Sequence, residues 1–426
     1  MKIICSIIAL IVSSFIAEAQ IIDAKQAAKS KVENRANNKT EEAIDEGLDK
    51  VEQGIKGIFK KKKKKESTVD ENSTEKNAGN SEVNNSNTAG TAATAFKLYS
   101  KFDFVPGEKV LYYDDFARVE TGDFPAEFNT DASGEVITLE GKQGKWLNLT
   151  KNGSFIPENI NELAENFTLE FNAGIQGTVS NNLLGFGFNF NTDKSKLMTY
   201  RFTSGSFLYL HPGAKTASVG VEAEGSPAIN NDFKMEQWDD ESNNFARVSL
   251  WRQKNRLRLY INETKMMDIP RFFAENKPYY LSLFRDFFND CNFFLTDIKY
   301  AVGAADTRNK LISTGKFSTT GILFTVNSDK INPSSYGTLK EIADVLKENA
   351  SVNIKITGHT DSDGDEGANL LLSQKRAAAV KLALSSQFGI DENRMQTDGK
   401  GESAPAEPNT STQGKANNRR VEFTKL

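Results

Sequence analysis

Histidine and cysteine are scarce in this chain of 426 residues. Its two histidines are His211 and His359, and its two cysteines are Cys5 and Cys291. A histidine-based active site or a histidine-rich metal site therefore has little to build on. Cys5 lies in an apolar N-terminal run that we expect to be removed. The mature chain then keeps Cys291, which we expect to be a buried free thiol without an internal disulfide.

The sequence also lacks an excess of basic charge. Its formal net charge is −4, so no global positive field points to a nucleic-acid partner. Hydrophobic residues make up 38% of the chain and the mean hydropathy is −0.50, which is low for a chain that folds from end to end. The length favours two domains with polar tails outside them.

Long apolar runs are confined to the N-terminus. Lys2 precedes the run "IICSIIALIVSSFIA", and Ala17 and Ala19 supply the small residues expected before a cleavage site. This pattern predicts a signal peptide over residues 1–19 and an exported protein. A membrane anchor is the alternative, but the run is too short for a typical spanning helix.

Two polar segments follow the signal peptide. Residues 20–65 carry apolar side chains at helical spacing and end in six lysines, Lys60 to Lys65. They predict a helical segment, either a solvated stalk or a basic amphipathic helix on an anionic membrane surface. Residues 66–97 contain almost nothing that could be buried, so they predict a disordered linker.

Short alternating segments recur over residues 98–303, separated by Gly, Asn and Asp turns. "FTLEFNA" and "RLRLYIN" place an apolar or aromatic side chain at every second position, and the stretch from Arg247 to Asn262 has the pattern of a hairpin. This composition predicts an all-β antiparallel sandwich. An eight-stranded outer-membrane barrel is the alternative, although most runs are shorter than its strands require.

The segments "YYDDFARVETGDFPAEF", "GKWLNL" and "RVSLWRQKNRLRLYINETKMMDIP" resemble the laminin-G/concanavalin-like sandwiches. Such sandwiches often bind glycans, which leaves open a wall-localised protein that binds or processes glycans. The resemblance implies that a hydrolase would carry Glu-x-Asp-x-x-Glu on one strand, but "EQWDDE" (236–241) has another spacing. We expect Trp146, Trp238 and Trp251 in the core rather than stacked on sugars. We therefore expect no catalytic residues and no enzyme activity.

The pattern changes near residue 318. "GILFTVNSD" predicts a strand, "NPSSYGTLKEIADVLKENA" a helix and "VNIKITGHTD" a second strand. A second helix is predicted from about Ala368 to Phe388, and "NRRVEFTKL" closes with a last strand. The order β-α-β-α-β over residues 318–426 predicts an α+β domain with its helices on one side of a sheet.

Three aspartates alternate with small residues in "DSDGDEG", which resembles the start of a calcium loop. Such a loop needs a glycine at its sixth place and a glutamate at its twelfth. Counted from Asp361, these places hold Glu366 and Leu372. We therefore predict no metal site here, and no residue pattern calls for a cofactor.

A site with two opposite charges is the remaining interpretation of this stretch. Asp361 leaves the end of a predicted strand, and Asn369, Ser373 and Arg376 share one stripe of the following helix. A carboxylate and a guanidinium so placed could clasp a ligand that carries an ammonium and a carboxylate. Alternatively, Asp361 and Arg376 pair with each other. We expect the helix to be held on the sheet by an adjacent apolar arc: Leu371, Leu372, Ala378, Ala379 and Leu382.

Three stretches of this domain together resemble the C-terminal domain of the OmpA family, which binds peptidoglycan non-covalently. They are "FTVNSDKINPSSYGTL", "ITGHTDSDGDEGANLLLSQKRAAAVKLAL" and "DGKGESAPAEPNTSTQGKANNRRVEF". The resemblance implies that Asp361 and Arg376 clasp the diaminopimelate of the stem peptide. It implies six ligand-binding residues in all: Thr360, Asp361, Asn369, Arg376, Arg419 and Arg420. The acids Asp363, Asp365 and Glu366 depart from the family pattern and could repel a ligand carboxylate.

Together these inferences predict an exported protein of the periplasm or outer membrane that anchors the envelope to the cell wall without catalysis. Its predicted partners are diaminopimelate-containing peptidoglycan and an outer-membrane surface or envelope protein. An outer-membrane barrel with a periplasmic wall anchor is the alternative. Because protonation of Asp361 would remove the acceptor for a ligand ammonium, we expect binding to weaken at low pH.

Overall fold

The structure is a computed structural model that describes residues 102–177, 185–198, 205–223, 226–239, 244–286, 291–303 and 310–426. The predicted signal peptide, helical segment and linker all lie outside the described residues. Within these ranges, no helix has both the length and the apolar character to cross a membrane. The described residues belong to one compact unit, Asn87–Leu426. The predicted domain boundaries stay predictions.

The described residues up to 303 form strands and are called the two-sheet domain below. The strands are β1 (Lys109–Asp114), β2 (Phe128–Thr130), β3 (Gly134–Thr138), β4 (Lys145–Leu149), β5 (Gly153–Pro157), β6 (Asn166–Gln176), β7 (Gly185–Asn191), β8 (Ser206–His211), β9 (Thr216–Ala223), β10 (Ser226–Lys234), β11 (Phe245–Gln253), β12 (Arg256–Ile261), β13 (Thr264–Ile269), β14 (Tyr280–Asp286) and β15 (Asn292–Val302).

Two open antiparallel sheets result from these strands. The first has the order β13-β12-β11-β6-β15-β4-β3, and β1 pairs with the other end of β15. The second has the order β10-β9-β8-β7-β14-β5-β2. The predicted hairpin from Arg247 to Asn262 is confirmed, because β11 and β12 pair in antiparallel register from Val248 opposite Ile261 to Gln253 opposite Arg256.

Aromatic rings fill the space between the two sheets. Phe171 of β6 and Phe293 of β15 belong to the first sheet, and Phe186 of β7 belongs to the second. The ring centroids of Phe171 and Phe186 are 5.7 Å apart, and Phe186 stacks on Phe293 at 4.5 Å. The two sheets therefore pack face to face over a shared core, and the predicted all-β antiparallel fold class is confirmed.

Four side chains of the two-sheet domain that could have had a functional role, three tryptophans and a cysteine, are buried. Trp146, Trp238 and Trp251 have relative exposures of 5%, 0% and 9%, so these indoles have no open face on which a sugar could stack. Cys291 is buried and forms no disulfide among the described residues, as predicted.

Residues 310–426, called the C-terminal domain below, form a second layered unit. Its elements are β16 (Lys316–Thr319), α1 (Tyr336–Glu348), β17 (Ile354–His359), α2 (Glu366–Phe388), β18 (Met395–Gly401), α3 (Thr412–Asn418) and β19 (Val421–Lys425). The sheet order is β16-β19-β17-β18, with β17 and β18 parallel. The predicted α+β class is confirmed.

Two details of this domain differ from the sequence-based expectation. The first strand, β16, precedes the predicted segment "GILFTVNSD", in which Phe324 forms only an isolated bridge with Ile331. A further strand, β18, and the short helix α3 lie between α2 and the last strand. Because "TDGKGESAP" is polar and rich in glycine, its strand carries no alternating apolar pattern that a sequence reading could detect.

The predicted apolar arc of α2 was wrong, because the buried face has the small residues Ser373 and Ala377 in its first half and larger apolar residues only later, at Val380, Leu384 and Phe388. Leu371 and Leu382 are 53% and 61% exposed, whereas Ser373 and Ala377 are fully buried. The backbone of α2 approaches β17 so closely that a Cβ at Gly358 would collide with the carbonyl oxygen of Ser373. Small side chains permit this approach, and larger leucines on the same face would prevent it.

The two domains meet along β1 and α3. The side-chain amide of Asn417 accepts from the backbone N–H of Val110 at 3.0 Å and donates to its carbonyl at 2.9 Å, and both bonds are buried. Val110, Ala301 and Ala416 form a small apolar cluster beside this pair. A second contact joins Phe104 to the start of α1, where a Cβ at Gly337 would collide with the carbonyl oxygen of Phe104. These contacts place β1 next to the loop that follows β17.

Candidate functional site

The loop after β17 begins at the predicted site residues. Backbone bonds anchor its start, because the N–H of His359 donates to the carbonyl of Arg420 and the N–H of Thr360 donates to that of Gly401, each at 3.0 Å. Thr360 and Asp361 therefore leave the sheet in a fixed direction. The residue exposures are 4% for Thr360 and 8% for Asp361, and both line the same cleft.

Asp361 forms its ion pair with Arg419 rather than with Arg376. Arg419 Nη1 donates to Asp361 Oδ2 at 2.6 Å, and Asp361 Oδ1 accepts from the backbone N–H of Asp363 at 3.2 Å. The guanidinium carbon of Arg419 lies 5.2 Å from the ring centroid of Tyr113, a residue of β1. Burial would lower the pKa of Arg419, but Tyr113 and Asp361 raise it above its ordinary value. The arginine is thus a permanent cation at this position.

Arg376 lies in the same cleft with most of its donors unused. Its Nε donates to the carbonyl of Ser328 at 3.0 Å, and its guanidinium carbon lies 4.9 Å from the ring centroid of Phe324. Within the described residues its two Nη groups make no hydrogen bond. Burial lowers the pKa of Arg376, although Asp361 opposes this shift. An oriented guanidinium with free donors is suited to bind a carboxylate through two parallel hydrogen bonds.

Asn369 holds the loop, and Thr360 offers a hydroxyl. The amide nitrogen of Asn369 donates to the carbonyl of Asp361 at 3.3 Å, to that of Asp363 at 3.0 Å and to Glu402 Oε2 at 2.7 Å. The side-chain donors of Asn369 are therefore occupied within the chain. By contrast, Thr360 Oγ1 is buried and has no hydrogen-bond partner among the described residues. A buried hydroxyl without a partner is a costly arrangement that a polar ligand atom would relieve.

Arg420 and His359 also line the cleft, and the side chain of Glu422 lies next to both of them. Arg420 Nε and Nη2 donate to Glu422 Oε1 at 3.0 and 2.8 Å, and Nη2 also donates to the carbonyl of Ala404. His359 Nε2 lies 3.8 Å from the same Glu422 oxygen. Burial, together with the charge of Arg420, lowers the pKa of His359 to about 4, so its imidazole is neutral at pH 7.

The acids that depart from the family pattern have local partners. Asp363 Oδ1 lies 2.5 Å from Lys415 Nζ. Asp365 is the N-cap of α2 and accepts from the backbone N–H of Ala368 at 2.8 Å. Glu366 lies in the first turn of α2, where the positive end of the helix dipole favours a carboxylate. Each of the three acids thus has a local structural role, and Asp363 also lines the cleft. Within the described ranges, no cluster of His, Cys, Asp or Glu side chains could hold a metal ion.

The cleft measures about 650 Å³ and has walls from both domains. Thr360, Asp361, Asn369, Arg376, Arg419 and Arg420 all line it on the C-terminal side. The structure therefore brings together the six residues that the sequence singled out. The facing wall belongs to the first sheet and was not predicted: Tyr113, Asn172, Arg247, Glu263, Asp297 and Lys299. No local signal marks these residues, because they are spread over five separate segments of the chain.

Comparisons with known proteins assign the part of the chain that carries five of the six residues, all but Arg420. Residues 323–419 match the OmpA family. The chain is 38% identical over 101 residues to outer membrane porin F of Pseudomonas aeruginosa, which is 24% of this chain and 29% of that protein. It is 41% identical over 103 residues to the probable lipoprotein YiaD of Escherichia coli, which is 24% of this chain and 47% of that protein.

A third relative has a name that states its ligand. The chain is 36% identical over 102 residues to the peptidoglycan-binding protein ArfA of Mycobacterium bovis, which is 24% of this chain and 31% of that protein. The chain thus spans less than half the length of each of these three relatives. The matched range contains the loop after β17, all of α2 and Arg419. Residues 323–419 of this chain are an OmpA family domain.

Proposed function

We propose that this protein binds peptidoglycan non-covalently through the diaminopimelate of the stem peptide, and that it thereby attaches the envelope to the cell wall. One observation carries the proposal. Arg376 presents unused guanidinium donors in the same cleft as the Asp361 carboxylate, at the positions that the OmpA family uses for this ligand.

The chemistry of the two side chains fits the two ends of the ligand group. Diaminopimelate presents an ammonium and a carboxylate on one carbon at the end of its side chain. Asp361 accepts from the ammonium, and the fork of Arg376 pairs with the carboxylate. Arg419 remains close to Asp361 and offsets part of its charge, while Thr360 Oγ1 hydrogen-bonds to the ligand. Asn369 and Arg420 act indirectly, because their contacts hold the loop and the last strand in place.

The relatives support the location and the type of activity. Two of them are named as an outer-membrane porin and as a lipoprotein, and a third is named as a peptidoglycan-binding protein. We therefore place this chain in the periplasm or at the outer membrane. We take it as a binding protein that breaks no bond, since the proposed contacts are hydrogen bonds and ion pairs.

Co-sedimentation with purified peptidoglycan tests the proposal. The full chain should sediment with peptidoglycan that contains diaminopimelate, and it should stay in the supernatant with peptidoglycan that has lysine at that position. Arg376→Ala should abolish sedimentation. Lys375→Ala is the matched control, because Lys375 is an exposed neighbour on the same helix and does not line the cleft. Equal sedimentation with both kinds of peptidoglycan would refute recognition through diaminopimelate.

A further inference from the structure

The wall that the two-sheet domain contributes to the cleft contains a built polar network. Tyr113 Oη donates to Asp297 Oδ1 at 2.8 Å, and Asn172 Nδ2 donates to Asp297 Oδ2 at 2.7 Å. Arg247 Nη1 approaches Asn172 Oδ1 at 3.4 Å. Hydrogen-bond donors and acceptors thus alternate along this wall.

A backbone irregularity directs Asp297 into the cleft. The pairing of β15 with β6 shifts register between Thr296 and Lys299, and Asp297 at the centre of the shift has a φ of 53°. Left-handed backbone is unfavourable for a residue with a side chain, although aspartate tolerates it better than most. Bulges of this kind re-aim a side chain and recur beside binding sites. A regular strand would not require this strained geometry.

Behind the network lies a buried ionic cluster. Glu170 is 2% exposed and lies between Arg247 Nη2 at 2.6 Å and Lys299 Nζ at 2.8 Å. Burial would raise the pKa of Glu170, but the two cations lower it to about 2, so the carboxylate stays charged. Well-packed hydrophobic residues often stabilise a core as well as such a cluster does. The cluster fixes the guanidinium of Arg247, which lines the cleft.

We propose that this wall is a second ligand subsite, which binds the peptide segment adjoining the diaminopimelate. This inference rests on the proposed function. A peptide backbone offers both N–H donors and carbonyl acceptors, and the wall offers the complement of each. Asp297 accepts from a peptide N–H, while Asn172 and Arg247 donate to peptide carbonyl or carboxylate oxygens. The cleft of about 650 Å³ falls in the range of about 300–1,000 Å³ typical of drug-sized ligands, which leaves room for more than one residue.

Calorimetric titration of the full chain with two probes tests the subsite. Free meso-diaminopimelate reaches only the Asp361 and Arg376 positions, whereas a tripeptide with diaminopimelate between two alanines also reaches the wall. Asp297→Gly removes the carboxylate and keeps the left-handed backbone, and Asn172→Ala removes the neighbouring amide. Asn276→Gly is the control, because Asn276 has a φ of 54°, is exposed and does not line the cleft.

The wild type should bind the tripeptide at least tenfold more tightly than free diaminopimelate. Both wall variants should lose most of that advantage and keep their affinity for free diaminopimelate within about twofold, as expected for loss of hydrogen bonds to charged groups. Tripeptide binding by Asp297→Gly and Asn172→Ala at the wild-type affinity would overturn the subsite and leave the proposed function intact. Failure of the wild type to bind either probe would instead refute both proposals.

Discussion

Arg419 joins the two domains at Asp361: its Nη1 lies 2.6 Å from Asp361 Oδ2, and its guanidinium carbon lies 5.2 Å from the Tyr113 ring centroid. Tyr113 in turn donates to Asp297 at 2.8 Å. A continuous series of polar and cation–π contacts therefore connects the bulge of β15 with Asp361. The two-sheet domain is thereby placed to influence the proposed binding site of the C-terminal domain.

Replacement of Tyr113 should separate the role of its ring from that of its hydroxyl. Tyr113→Ala removes the ring beside Arg419, so we expect the affinity for free diaminopimelate to fall about three- to tenfold, in line with a cation–π contribution of about 0.5–2 kcal/mol. Tyr113→Phe keeps the ring and should bind within about twofold of the wild type. Calorimetric titration of both variants measures the difference. Equal losses in the two variants would show that Arg419 does not depend on the ring.

Arg376→Lys should weaken binding strongly even though the charge is kept. Lysine cannot bind two carboxylate oxygens with a planar fork, and its ammonium cannot donate to Ser328 as Nε does while also presenting two parallel donors. We expect a loss of about tenfold or more in affinity for free diaminopimelate, with Lys375→Ala unchanged as the control. Wild-type affinity in Arg376→Lys would mean that the cation alone, and no bidentate geometry, is recognised.

The stability of the protein should fall between pH 6.5 and pH 4 through His359. Its folded-state pKa of about 4 lies below the ordinary value of 6.5, so the unfolded state binds the proton more tightly. Stability from this group is therefore complete above pH 6.5, declines as the pH falls to 4 and levels off below that. The full loss is on the order of 3 kcal/mol in the free energy of unfolding.

Two measurements check the His359 prediction. Urea unfolding at pH 7 and pH 4.5 should show a smaller difference for His359→Gln than for the wild type. In NMR titrations the Cε1 proton of His359 should titrate near pH 4, and a His211→Asn variant assigns the signal because the sequence has two histidines. Titration of His359 near pH 6.5 would contradict the burial and the Arg420 charge as the controlling influences.

Loss of the Asn417 amide should weaken the contact between the two domains. Asn417→Ala leaves the buried N–H and carbonyl of Val110 without partners, and each such group costs about 1–3 kcal/mol. We expect the free energy of unfolding to fall by about 2 kcal/mol or more and the amide of Val110 to exchange faster with solvent. Asn353→Ala, at an exposed site without left-handed backbone, serves as the control. Unchanged exchange at Val110 would mean that water replaces the amide at no cost.

Local spacing was sufficient to find the part of the site that lies within one supersecondary unit. Asp361, Asn369 and Arg376 follow one another along a strand end and a helix, so periodicity alone places them together. The hairpin of β11 and β12 was predicted for the same reason. By contrast, spacing could not decide which side of α2 is buried, because the deciding fact is the close approach of Gly358 to Ser373.

The rest of the site depends on long-range contacts that no local pattern encodes. Arg419 lies 58 positions from Asp361, and Asp297 lies 184 positions from Tyr113. The one partner within the chain that local spacing suggested for Asp361, as the alternative to a ligand, was therefore Arg376, its neighbour on the following helix. The wall of the two-sheet domain was missed entirely, since a single charged residue on a strand usually indicates a solvated face.

Calorimetric titration of the full chain with meso-diaminopimelate, alongside Asp361→Asn and Arg376→Ala, tests the central claim most directly. Glu366→Gln and Lys375→Ala are the matched controls, because both are exposed and neither lines the cleft. We predict saturable binding by the wild type and both controls, and no measurable binding by the two site variants, all with wild-type circular dichroism. Wild-type binding in either site variant, or no binding by the folded wild type, would contradict the account.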